Sequence, residues 1–234
     1  MKESELVSVM NKHLKESKLM YANEIRMGIG IPDVVVGYNL PEEHEIIVDY
    51  YELKVYCLII EKNITSIKEV IEFSTLPKAQ IIKYIHLLKE RNIISIDDEA
   101  IIINKRLDKK SLGINISIEA KIKDWRGGLI QAQRYLSFSD YSYVALPEKS
   151  IKNVELQKFT DSGIGLLSIS DNDIQEIIPP VKSGECDYFF KYISISSLLE
   201  KCEDVIDDCN KSCSLFSFDT MECRSTIMNI ARNK

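Results

Sequence analysis

One short stretch alternates apolar and polar residues, and the polar types it presents suit one chemistry. Residues 116–122 read Ile-Ser-Ile-Glu-Ala-Lys-Ile. Side chains of a strand alternate between faces, so Ile116, Ile118, Ala120 and Ile122 share one face and Ser117, Glu119 and Lys121 the other. Glu119 and Lys121 are therefore neighbours, about 7 Å apart along the strand. An acid and an amine held by a rigid element can act as metal ligand and water activator. The plainer alternative is the solvated face of a strand. A second acid, Asp33, follows Pro32 at the head of the apolar run "VVVGY", which puts it at the mouth of another strand. There it could equally be a strand-start cap.

The elements that must position these residues are readable from periodicity. Leu6, Val9, Met10 and Leu14 have helical spacing. Residues 21–40 read as strand, glycine turn and strand, punctuated by Gly28, Gly30 and Pro32. The strand bearing Glu119 is followed by a helical run through residue 135, a short strand "YSYVALP", a helix, a Gly turn and strand in "IKNVELQKFTDSGIGLLSIS", and a last strand "IQEIIPP". Residues 192–211 read as helical. This alternation predicts an α/β fold, a mixed central sheet flanked by helices.

Residues 50–106 have a different character. They predict three helices, the second opened by Thr65 or Ser66 with Glu69 placed for a capping box, the third with Pro77 in its first turn. A hairpin around Asp97-Asp98 follows. Three helices and a hairpin in this span outline a winged helix-turn-helix. Its third helix carries Lys78, Lys83, Lys89 and Arg91 against Glu90, the basic face that DNA backbone contact requires. Tyr84, with Gln80 and His86, could add hydrogen bonds. The segment as a whole is near neutral, with nine Lys/Arg against eight Asp/Glu, and many winged helices bind protein instead.

Taken together, Pro32-Asp33 and Glu119-Ala120-Lys121 resemble the signature of the PD-(D/E)XK nuclease superfamily. Glu5 is placed like that family's first-helix acid, and Gln131 to Tyr135 resembles a Q-x-x-x-Y motif of one subset. The chain departs from the usual spacing: 86 positions separate Asp33 from Glu119, but residues 50–106 account for 57 of them, leaving 29. The resemblance implies a restriction-endonuclease-like core formed by 1–49 and 107–195, a winged-helix insert at 50–106, and a mostly helical tail at 196–234. It implies that Asp33, Glu119, Glu5 and the Ala120 carbonyl hold Mg²⁺, with Mn²⁺ as a substitute, hard oxygen donors being what that ion prefers. Lys121 would position the attacking water and offset charge on the phosphate, with Gln131 hydrogen-bonded to Lys121 or the water. Tyr135 reads as well as a core aromatic.

The function expected is metal-dependent hydrolysis of DNA in restriction, phage defence or repair. The alternative is a non-catalytic DNA-binding or regulatory protein on the same fold. A homodimer or a larger defence or repair complex is expected by analogy alone.

Bulk properties set the frame. The chain has 234 residues, enough for a real core, and a formal net charge of −6, which argues against a nonspecific polycation. No stretch is apolar enough to span a bilayer, and the charged N-terminus is unlike a signal peptide, so a cytoplasmic setting without membrane contact is expected. Five of the six cysteines (Cys186, Cys202, Cys209, Cys213, Cys223) lie in the last fifty residues. They read as buried thiols or, alternatively, zinc ligands. "GIGIPD" lacks the third glycine of a dinucleotide fingerprint, and no P-loop is present.

Overall fold

A computed structural model describes residues 2–41, 47, 49–106, 111–171 and 173–202. The chain divides into two compact units: Met1–Leu40 with the described residues from Gly113 onward, and Pro41–Leu112.

The first unit opens with helix α1 (Glu3–Glu16), whose Leu6, Met10 and Leu14 recur every four residues and are buried. Strands β1 (Met20–Asn23) and β2 (Val34–Tyr38) follow. The second unit contains α2 (Tyr50–Lys62), α3 (Ile67–Phe73), α4 (Lys78–Glu90), β3 (Ile94–Asp97) and β4 (Ala100–Ile103). The first unit then resumes with β5 (Ile114–Ala120), α5 (Trp125–Tyr135), β6 (Tyr141–Pro147), α6 (Glu148–Ile151), α7 (Leu156–Ser162), β7 (Gly165–Ile169), β8 (Ile174–Ile178) and α8 (Tyr188–Lys201).

Its sheet is mixed and six-stranded, in the order β1-β2-β5-β6-β7-β8. The first three strands run antiparallel, β5 to β6 and β6 to β7 are parallel, and β8 returns antiparallel. The parallel steps need crossovers, which α5 and the α6–α7 segment supply. Gly163 ends α7 in the left-handed conformation at φ 68°, the usual glycine stop.

Helices cover both faces. On one, Leu6, Met10 and Leu14 of α1 pack on Val34, Val36, Ile116, Ile118 and Ala145. On the other, Trp125, Leu129 and Ala132 of α5 and Phe159 of α7 pack on Val144, Leu146 and Leu166. A strand covered on both sides has no solvated face. From Asn115 to Ala120, β5 is buried at every residue, so Glu119 sits in the interior at 2% exposure.

At the start of β5 a second polar group is enclosed. Lys191 of α8 donates to the Gly113 carbonyl at 2.7 Å and pairs with Asp140 at 2.7 Å, both side chains almost fully buried. Asp140 also accepts the Asn115 N–H at 2.9 Å, and the Asn115 amide reaches Phe138 O and Ser194 Oγ. This network ties α8 to the sheet. Helix α8 begins four residues earlier than sequence periodicity places it, because Asp187 accepts the Phe190 N–H and caps it.

In the second unit the Ser66 half of the expected capping box forms, while Glu69 reaches past the cap to the residue before it. Ser66 Oγ accepts the Glu69 N–H and the Glu69 carboxylate accepts the Thr65 N–H. Pro77 stands one position outside α4, at its N-cap, rather than in its first turn. β3 and β4 form an antiparallel hairpin, and residues 65–67 bond to Glu99 and Ile101 beside it. Val70, Ile81, Ile85, Leu88, Ile94 and Ile101 are buried. Among the described residues no helix is long and apolar enough to cross a membrane.

Candidate functional site

The pairing of β2 with β5 brings Asp33 to Glu119. Val34 faces Ile118 in this antiparallel register, so the residue before β2 stands beside the end of β5. The next hydrogen-bonded position of the ladder would match Pro32 with Ala120. Proline has no N–H to give, so the ladder stops and Ala120 finds another partner. Its N–H donates to Asp33 Oδ2 at 2.7 Å. The Ala120 carbonyl, on the same edge of β5, is left without its ladder donor.

Glu119 points to the α5 face. Its Oε1 receives Lys121 Nζ at 2.6 Å and its Oε2 receives the Tyr135 hydroxyl at 2.6 Å. Lys121 stands one residue past the strand, with its N–H still donating to the Ala145 carbonyl at 3.0 Å. The lysine stem lies under the first turn of α5. A Cβ on Gly128 would come 3.0 Å from Lys121 Cγ and 3.1 Å from Val144 Cγ1, so glycine here lets helix, lysine and strand approach closely. Asp124 accepts the Gly127 N–H and fixes where the helix begins.

The electrostatics are those of an acid cluster with one cation. Burial pushes the Asp33 carboxyl up to about 6, with Glu119 and Glu3 adding to the rise and the Ala120 N–H and Lys121 opposing it. Burial disfavours the charged form of Lys121, but its hydrogen bond to Glu119 and the fields of Glu119, Glu3 and Asp33 outweigh it and hold the ammonium above its usual range. Burial and the Glu119 carboxylate push the Tyr135 hydroxyl far up, so it stays a donor.

Asp33, Glu119, Ala120 and Lys121 are thus brought together. Gln131 lies half-buried on α5 and makes no hydrogen bond to Lys121 or Glu119; Tyr135, one turn further on, takes that place. Glu5 is exposed and accepts the Lys2 N–H at 2.7 Å, closing the first turn of its own helix. That contact lowers its pKa. The acid of α1 whose charge reaches Asp33 and Lys121 is Glu3. Sequence reasoning passed over Glu3; an acid in the first turn of a helix ordinarily reads as a dipole partner.

Mg²⁺ keeps several waters and needs only one or two carboxylates. Among the described residues Asp33 Oδ1 accepts no hydrogen bond, Pro32 has no N–H to give the Ala120 carbonyl, and Asp33 is repelled by Glu119 and Glu3, so the donor set fits such an ion. Among the described residues no three His, Cys, Asp or Glu side chains form a ready-made cage. Cys57 and Cys186 are buried thiols and Cys202 a half-buried one; Cys209, Cys213 and Cys223 lie outside the described residues.

In the second unit Lys78, Lys83 and Lys89 are exposed on α4, as are Gln80 and His86. Tyr84 is buried, stacked on Tyr51 at 6.0 Å between ring centroids. Arg91 Nε lies 3.1 Å from Glu52, whose carboxylate is 1% exposed and, among the described residues, accepts no properly aligned hydrogen bond. Burial raises the Glu52 pKa, the nearby Arg91 guanidinium opposing and Asp49 adding to the rise. Comparison with protein-family models, curated proteins and solved structures finds no match to the chain.

Proposed function

We propose that the chain is a metal-dependent nuclease that hydrolyses DNA phosphodiester bonds, with a restriction-endonuclease-like core and a winged helix in residues 50–106. The observation that carries the reading is the Asp33–Ala120 contact. It joins two short motifs 86 positions apart into one site, at the point where Pro32 ends the ladder. The α5–β6 segment after Glu119-Ala120-Lys121 adds support, since a helix then a strand is what the family resemblance implies there.

In this reading Asp33 Oδ1, the Ala120 carbonyl and Glu119 hold Mg²⁺ or Mn²⁺, with Glu3 adding negative field. The ion, when bound, neutralises phosphate charge and makes a bound water more acidic. Lys121 orients the attacking water through its ammonium and opposes the negative charge that develops at phosphorus. Lys121 stays charged because Glu119 holds it, so it acts as a fixed cation and not as a base. The Lys78, Lys83 and Lys89 side chains contact the DNA backbone from α4.

The test is nicking of supercoiled plasmid and of single-stranded DNA with Mg²⁺ or Mn²⁺. Wild-type cleavage that is lost in Asp33→Ala and Lys121→Ala is the expected result. A wild-type protein inert on DNA with either ion refutes the catalytic reading. A mobility shift with Lys78→Glu/Lys83→Glu tests the second unit, where unchanged affinity removes its role.

One observation favours a non-catalytic DNA-binding protein on the same fold. Both oxygens of Glu119 are engaged, by Lys121 and Tyr135, so an ion must displace a bond to use it. DNA binding without Mn²⁺ uptake would select this alternative.

A further inference from the structure

The Tyr135 hydroxyl has one proton and two acceptors. It lies 2.6 Å from Glu119 Oε2 and 3.2 Å from the Ile31 carbonyl. A phenol can donate only once, so the short bond to Glu119 takes the proton and the Ile31 carbonyl is left with the long contact. Ile31 belongs to the turn that joins β1 to β2. Within it the Met27 N–H donates to the Gly30 carbonyl at 3.0 Å and Gly28 adopts φ 76°.

The turn also rests on the tyrosine ring. A Cβ on Gly30 would lie 2.5 Å from Tyr135 Cε1, closer than real atoms approach, so the backbone there is pressed against the ring. On its outer side the turn exposes two apolar residues, Ile29 at 40% and Ile31 at 48%. One side chain thus touches both the acid of the candidate site and the segment leading into Asp33.

We propose that Tyr135 is a positioning residue that couples occupancy of Glu119 to the β1–β2 turn: a divalent cation on Glu119 releases the hydroxyl, which then bonds the Ile31 carbonyl and tightens residues 27–31. The inference rests on the metal-dependent reading of this site. It adds that loading the ion shapes the apolar rim, Ile29 and Ile31, against which a substrate would seat. The hydroxyl keeps its proton throughout; only its acceptor changes.

Hydrogen–deuterium exchange of the full chain with and without Mn²⁺ tests this, with ion binding measured separately by electron paramagnetic resonance of the free ion. In the wild type, Mn²⁺ should slow exchange of the amides of residues 27–31 by about fivefold, the scale of one hydrogen bond. Tyr135→Phe should still take up Mn²⁺ but show no slowing. Gly30→Ala disturbs the same contact from the turn side, keeps the Tyr135 hydroxyl in the protein, and should also lose the slowing; it carries the test if the phenylalanine variant does not fold. Wild-type Mn²⁺ binding with no change at the turn, or equal slowing in both variants, overturns the coupling and leaves the metal reading standing. No Mn²⁺ uptake by the wild type overturns both.

Discussion

Replacing Asp33 by Asn should make the protein more stable at the pH where it would work. The native carboxyl is raised from the ordinary 3.8 to about 6, so ionising it costs folding free energy. The gap of about two pH units is worth about 3 kcal/mol at 1.36 kcal/mol per unit, and solvent reaching this half-buried group reduces that to about 1–3 kcal/mol. Asparagine keeps an oxygen to accept the Ala120 N–H, which donates at 2.7 Å in the native protein, and removes the charge that Glu119 and Glu3 repel.

The pH window follows from linkage. Below 3.8 the carboxyl is protonated in both the folded and unfolded chains, and Asp33 costs nothing. Between 3.8 and about 6 the unfolded chain has released its proton while the native one retains it, so stability falls as pH rises. Above about 6 the full penalty is present. Urea unfolding of wild type and Asp33→Asn at pH 8 and pH 4 should therefore give a gain for the variant at pH 8 that shrinks towards zero at pH 4. Mg²⁺ should close the gap at pH 8 by stabilising only the wild type. A gain that is absent at pH 8, or constant with pH, refutes the claim that Asp33 is held in an unfavourable charged state.

Lys121→Ala should abolish nicking and cost about 1–3 kcal/mol near neutral pH, since it strips the buried Glu119 of a charge-assisted bond; urea midpoints check the second part, and an unchanged midpoint refutes it. Lys191→Met should cost about 3–5 kcal/mol by leaving Asp140 buried without its cation; a loss below about 1 kcal/mol would show that the ion pair does not hold α8 to the sheet. Glu52→Gln should raise the stability of the second unit at pH 8 and not at pH 4, because burial raises the Glu52 pKa and the penalty vanishes once the carboxyl is protonated in both states. Thermal unfolding at the two values of pH reads the difference.

Much of this fold follows from short-range pattern. Leu6, Met10 and Leu14 place α1, and the Ser66 cap on the Glu69 N–H places α3, because those signals act within one turn of chain. The face assignment of β5 needed more than its own residues. Alternation puts Glu119 opposite the isoleucines, but only the arrival of α5 makes that opposite face an interior. Gln131 and Tyr135 illustrate the same limit. Both lie on the helix after the strand, and their identities suit a hydrogen bond to the site equally well. The helix rotation that presents Tyr135 to Glu119 is set by Trp125, Leu129 and Ala132 packing on Val144 and Leu146, a tertiary fact. Glu3 and Glu5 differ by about 200° around α1, and sequence order alone does not say which side faces Asp33.

The two ends of β5 show why one polar group reads as structure and the other as a site. At the Asn115 end, the buried carboxylate of Asp140 has Lys191 and the Asn115 N–H as partners, both within 2.9 Å, and α8 seals it. At the Ala120 end, Asp33 has the Ala120 N–H as its partner, beside a second acid and within the field of a third; burial raises its pKa, and Glu119 and Glu3 add to the rise. Removing Asp33's charge relieves the fold; removing Lys191's harms it. A buried carboxylate that meets a buried cation, as Asp140 Oδ2 meets Lys191, is explained by the structure around it. One that is left with acids for neighbours costs stability that the fold recovers only in part, and a ligand of opposite charge is what would recover the rest.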